Sequence, residues 1–121
     1  MASHPSFSII APVYGVERYI VNCADSLLGQ TYDNIQFIFV NDGTKDASIA
    51  LLEKLIDEKY SFLKDRIVIV NKHNEGLPSA RRTGMEYVTG DYVLHVDSDD
   101  WVEKDMVAKI AAKAVETDSD V

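Results

Sequence analysis

The chain of 121 residues carries 20 acidic against 12 basic side chains, a formal net charge of −8, with 46% apolar and 26% charged residues. That length suits one domain around one modest core, and the acidic balance argues against nucleic acid or an anionic membrane surface as a partner. The single cysteine, Cys23, excludes an internal disulfide and reads as a core thiol, and no apolar run is long enough to span a bilayer.

Phe7 to Val13 reads as a strand, with Pro12, which cannot donate to a ladder, near its carboxyl end. Val16 to Gln30 switches to helical spacing, Ile20, Cys23, Ala24, Leu27 and Leu28 forming one stripe, and Gly29 with Gln30-Thr31-Tyr32 closes it. Ile35 to Val40 is a second apolar strand ending in Asn41-Asp42-Gly43. A helix from about Asp46 to Tyr60 follows, with Ile49, Leu52, Leu55 and Ile56 inward and Thr44 or Asp46 as its N-cap. Tyr60, Phe62 and Leu63 read as packing beneath a loop. Ile67 to Val70 is a short third strand, and a polar loop runs from Asn71 to Leu77. Pro78 suits the first turn of a third helix reaching about Val88, with Gly90 as a C-terminal cap. Asp91 to Val96 is an apolar, β-branched run that reads as a buried fourth strand, with His95 packed or hydrogen-bonded in it. A fourth helix spans about Lys104 to Thr117, with Val107, Ile110, Ala111, Ala114 and Val115 inward, and Ser119-Asp120-Val121 resembles the start of a fifth strand.

Strands alternating with helices predict a Rossmann-like α/β fold, a parallel sheet with helices on both faces. Such sheets bind ligands outside the carboxyl ends of their strands, near a switch in strand order. Asp42 and Asp97-Ser98-Asp99-Asp100 both fall on that edge. Carboxylates crowded at a strand end repel one another and are relieved by a hard cation with a preference for oxygen ligands. A solvated acidic turn capping the next helix is the plainer alternative. The glycine-rich turn of a dinucleotide fold is absent after the first strand, where Pro12-Val13-Tyr14-Gly15-Val16-Glu17 stands, and so is a Walker pattern. Receiver domains and aspartyl phosphatases need carboxylates after the first strand. An EF-hand loop needs glycine where Val102 stands. These absences favour a nucleotide held by carboxylates and a cation over one held by a glycine loop.

Six blocks come in one order: Ser8-Ile9-Ile10-Ala11-Pro12-Val13-Tyr14, Ser26-Leu27-Leu28-Gly29-Gln30-Thr31-Tyr32, Phe39-Val40-Asn41-Asp42-Gly43, Asn74-Glu75-Gly76-Leu77-Pro78-Ser79-Ala80-Arg81, Gly90-Asp91-Tyr92-Val93 and Asp97-Ser98-Asp99-Asp100. Together they resemble the nucleotide-binding half of family 2 glycosyltransferases, the N-terminal part of a GT-A fold, over almost the whole chain. The resemblance implies an inverting transfer of a sugar from a nucleoside-diphosphate sugar, uridine-linked, to an acceptor hydroxyl in polysaccharide or glycoconjugate synthesis. It implies that Asp99 ligates Mn²⁺ or Mg²⁺, that Asp97 faces the ribose and that Asp42 accepts from the nucleobase. Pro12, Val13 and Tyr14 then lie along base and ribose, with Arg81 near the nucleotide.

The residues themselves leave alternatives open. Asp42 would also suit an Asx turn, Tyr14 a core aromatic and Arg81 an ion pair with the acidic edge, while Trp101 suits a cover over the turn or a sugar contact. Gly15 and Arg82 stand where the family commonly has Asn. The family's acceptor-side base is expected beyond Val121, since Glu103 and Asp105 fall at the start of a helix, so no catalytic residue is assigned here. Residues 1–121 are accordingly expected to be the nucleotide-sugar-binding portion of a glycosyltransferase domain, truncated at the C-terminus. The expected setting is cytoplasmic or at the cytoplasmic face of a membrane, with a glycan or lipid-linked acceptor and self-association through an open sheet edge. A non-catalytic nucleotide- or partner-binding module is the alternative function.

Overall fold

A computed structural model describes residues 4–117. The sheet has four parallel strands in the order β3-β2-β1-β4: β1 Phe7–Val13, β2 Ile35–Asp42, β3 Ile67–Lys72 and β4 Tyr92–His95. The helices are α1 Ile20–Leu28, α2 Ser48–Lys59, α3 Leu77–Met85 and α4 Met106–Thr117, with a 3-10 segment over Ser61–Arg66. Among the described residues no helix is long and apolar enough to cross a membrane.

Alternation along the strands sorts the core into two layers. Phe7, Ile9, Ala11 and Val13 of β1, with Phe37 and Phe39 of β2, pack with Leu27 of α1, Leu52 of α2 and Val107 of α4. Ile10, Ile38, Val40 and Val70 form the opposite layer with Ala80 of α3. The α3 helix lies close to the sheet because Gly84 faces Ile10, where a β-carbon would come within 2.6 Å of Ile10 Cγ2. The chain steps outward from β1 to β2 to β3, then returns to β4 on the other side of β1, so the switch in strand order lies between β1 and β4.

The structure corrects several expectations. The α1 helix begins at Ile20, and residues 17–19 form a turn before it. The α3 helix ends at Met85, so Gly90 caps nothing and instead packs on the β1 backbone. The α2 N-cap is Ala47; Asp46, one residue earlier, accepts the Ser48 N–H. Tyr60 is buried, but Phe62 is 77% exposed on the 3-10 segment. Val115 is exposed on the outer face of α4. Among the described residues the fourth strand lies at the sheet edge and is not buried: Val93 and Leu94 are half-buried and His95 is exposed, with β1 the one strand paired to β4 there. The expected fifth strand at residues 119–121 lies outside the described residues.

Candidate functional site

The carboxyl ends of β1, β2 and β4 enclose a cleft of about 370 Å³. Pro12, Tyr14, Asp42, Asp97 and Asp99 line it, joined by Asn74, Gly76 and Leu77 from the loop leading into α3. Tyr14 is 53% exposed, which places it as a cleft wall and not a core aromatic. Val13 is fully buried among the α1, α2 and α4 contacts, so only its backbone is left to meet a ligand. Arg81 does not line the cleft; its Nη2 donates to Asp97 Oδ1 at 2.9 Å.

Asp42 is buried, and its carboxylate accepts from Lys72 Nζ and from the backbone N–H groups of Glu75 and Gly76. Burial opposes its ionisation, but those donors outweigh it and hold the pKa below the usual carboxylate value. The alternative of an Asx turn at Asp42 is not what forms, since its carboxylate accepts from the loop into α3; its neighbour Asn41 instead accepts the Thr44 N–H on Oδ1 at 2.9 Å, three residues on.

A second network ties the loop after β1 to the loop after β2. Thr44 Oγ1 accepts the Gly15 N–H, Ser48 Oγ accepts the Val16 N–H, and Asp46 Oδ2 accepts the Glu17 N–H. Thr44 and Ser48 both donate onward to Asp46 Oδ1. Gly15 has φ +63, a left-handed conformation that glycine and asparagine adopt most readily, which rationalises glycine at this position. Hydrogen bonds, chiefly from the Ser48 hydroxyl, lower the Asp46 pKa to about 2. Because this folded value lies below the ordinary aspartate value of 3.8, the carboxylate stabilises the fold above about pH 4 and the effect fades as pH falls toward 2. Asp46→Asn is expected to cost roughly 1–2 kcal/mol at pH 7 and to flatten the acid dependence between pH 4 and 2. Urea unfolding at pH 7 and pH 3 checks this, and equal losses at both would contradict it.

The acidic turn is held from beneath. Ser98 is buried and its hydroxyl donates to the Pro12 carbonyl, while the Cys23 thiol contacts the Asp97 carbonyl at 3.7 Å. Burial, then the charges of Asp100, Asp99 and Asp97, push the Cys23 pKa up to about 12, so the thiol is inert packing. Gln30 fastens the following segment: its amide donates to the Ser26 and Glu103 carbonyls, and its Oε1 accepts the Val107 N–H in the first turn of α4. Carboxylate oxygens of Asp97, Asp99 and Asp100 lie within 4.8 Å of one another, all exposed. Asp100 joins the cluster with Asp97 and Asp99. Asp97 is engaged by Arg81, whereas the Asp99 and Asp100 carboxylates have no ion-pair or hydrogen-bond partner among the described residues. Three convergent carboxylate groups with one cation between them form a donor set that fits a hard divalent ion.

Lys72, Glu75, Gly76 and Leu77 were not singled out as site residues. Gly76 just before Leu77-Pro78 was the available signal: its φ of +95 turns the loop so that its own N–H meets Asp42. Trp101 is 66% exposed and flanks a separate groove with Asn22 and Lys104, away from the cleft lining.

An acidic cleft at the carboxyl edge of a parallel sheet, beside its switch point, defines an α/β protein of the Rossmann-like class. S. aureus TarS 1-349 in complex with UDP-GlcNAc has this architecture, with a TM-score of 0.80 at 28% identity, covering 92% of this chain and 31% of that one. Glycosyltransferase GlyA of Streptococcus pneumoniae is 42% identical over 114 residues, 94% of this chain and 16% of its own length. The uncharacterized glycosyltransferase EpsJ of Bacillus subtilis is 41% identical over 117 residues, 97% of this chain and 33% of its own length. The pattern of glycosyl transferase family 2 matches residues 8–121, and the chain belongs to that family, with a GT-A type of fold. It spans about a third or less of the length of these relatives.

Proposed function

We propose that this chain binds the donor in a glycosyltransferase that moves a sugar, with inversion, from a uridine-diphosphate sugar to an acceptor hydroxyl in polysaccharide or glycoconjugate synthesis. The observation that carries the reading is the convergence of Asp42, Asp97, Asp99 and Tyr14, from the ends of three strands, on one cleft. Asp42 accepts from the base, Asp97 from the ribose hydroxyls, and Pro12 and Tyr14 flank both. An ionised carboxylate only accepts, which suits hydroxyls and a ring N–H. Arg81 orients Asp97 through their ion pair. Asp99, with Asp97 and Asp100 beside it, is the position for Mn²⁺ or Mg²⁺. Such an ion, when bound, neutralises charge on the diphosphate leaving group.

Calorimetric titration of UDP with and without Mn²⁺ tests this. Binding that strengthens with Mn²⁺ is expected, and undetectable binding at millimolar UDP with Mn²⁺ present would overturn the donor-site reading.

A further inference from the structure

Asp42, the last residue of β2, is in register with Lys72, the last residue of β3. The Lys72 side chain is only 11% exposed, and its ammonium donates to Asp42 Oδ1 at 3.2 Å, to Glu75 Oε1 at 3.0 Å and to the His73 carbonyl at 2.8 Å. An ammonium has three protons, so all of its donors are spent on the protein and none is left for a ligand. Asp42 Oδ1 also accepts the Glu75 N–H at 3.1 Å, and Oδ2 accepts the Gly76 N–H at 3.0 Å. A carboxylate has about four acceptor positions. Three are filled, and the open one is on Oδ2 of a group whose side chain is 6% exposed and lines the cleft.

We infer that Lys72 is a positioning residue that sets base choice: it holds Asp42 as an acceptor-only group with one open position, which admits a base offering a ring N–H and rejects one presenting a ring-nitrogen lone pair. This rests on the reading of the cleft as a nucleotide site. Uracil and guanine offer a ring N–H on the pairing edge, whereas cytosine and adenine place a lone pair there. Against an ionised carboxylate that lone pair meets a second acceptor, and a buried mismatch of this kind discriminates strongly. Without the ammonium, Asp42 loses its one cationic donor and keeps the Glu75 and Gly76 N–H groups, and burial then favours the neutral form more than it does beside Lys72. A neutral acid has a proton to donate to the ring nitrogen of cytosine, so discrimination against cytosine falls. The His73–Gly76 turn wraps the same ammonium, so one side chain sets both the charge of Asp42 and the loop that supplies its backbone donors.

The experiment measures dissociation constants for UDP and CDP, with Mn²⁺ present, for the unaltered chain, Lys72→Met and Lys72→Arg. The unaltered chain is expected to favour UDP. Lys72→Met is expected to reduce the UDP-over-CDP ratio by about tenfold or more, the scale of one buried hydrogen bond to a charged group. Lys72→Arg, which keeps the charge, is expected to retain most of it. Where circular dichroism shows Lys72→Met unfolded, Lys72→Gln, which keeps a donor to Asp42 but not the charge, carries the same expectation. A purely structural role would weaken UDP and CDP equally, and an unchanged ratio in folded Lys72→Met or Lys72→Gln would overturn the inference. Failure of the unaltered chain to bind UDP would instead remove the nucleotide reading, and the inference with it.

Discussion

Replacing Asp99 with alanine is expected to abolish the Mn²⁺ dependence of UDP binding. The three carboxylates of the acidic turn are not equivalent. Asp97 already shares an oxygen with Arg81 at 2.9 Å, so part of its charge is spent before any ion arrives. Asp99 both lines the cleft and keeps its carboxylate unpaired, a combination that Asp100 lacks. Loss of a group that merely orients a metal ligand costs about 10–100-fold in metal affinity, and loss of a direct ligand costs at least that much. Calorimetric titrations of UDP across a Mn²⁺ series read the effect directly. The same enhancement by Mn²⁺ in Asp99→Ala as in the unaltered chain would sink the assignment. The fold is not at risk in this variant, since Asp99 is exposed and the turn is held by the Ser98 hydroxyl and the Asp97 carbonyl.

Gly90→Ala is expected to be a severely damaging single-methyl change outside the cleft. A β-carbon at Gly90 would lie 2.7 Å from the carbonyl carbon of Phe7, 2.8 Å from the Ser8 nitrogen and 2.9 Å from Ser8 Oγ. Two of those atoms are backbone, and β1 is an inner strand paired on both sides, so no neighbour can give way. The contact is also polar: the Gly90 N–H donates to Ser8 Oγ at 2.9 Å, and Ser8 donates to Gln36 Oε1 at 2.6 Å. Separating the strands would leave the buried Ser8 hydroxyl short of partners. Overpacking together with a weakened buried hydrogen bond is expected to cost about 2–4 kcal/mol. For a domain of this size that is a fall of roughly 10 °C in melting temperature. Thermal melts followed by circular dichroism measure it, and a midpoint within about 2 °C of the unaltered chain would contradict the close approach.

Gly90 also illustrates where sequence reasoning stops. Its position after a helical stretch suits a C-terminal cap, and the residue is a glycine for a different reason, the backbone of β1. Nothing local signals that approach, because the partner lies more than eighty residues earlier in the chain. His95 failed similarly: an apolar run reads alike for an inner strand and an edge strand, and only the strand order β3-β2-β1-β4 exposes one side of β4. By contrast, the first strand was legible to the residue, since Pro12 and the change of period after Val13 mark its end chemically.

The candidate site divides the same way. Asp42 and the carboxylates of the acidic turn could be placed on one sheet edge from the sequence, because alternating strands and helices imply a parallel sheet whose carboxyl ends face one side. Pairing of Arg81 with the acidic edge stood as one of two readings; its choice of Asp97 and the triple engagement of Lys72 could not be placed, because they depend on register and loop path between segments distant in the chain. Composition, hydrophobic period and turn chemistry by themselves determined the fold class, the order of the elements and which acids stand at strand ends, since all of these are local. Only the tertiary structure decided which acid is clamped, which is paired and which is left open, since a carboxylate's state depends on the donors that packing brings to it.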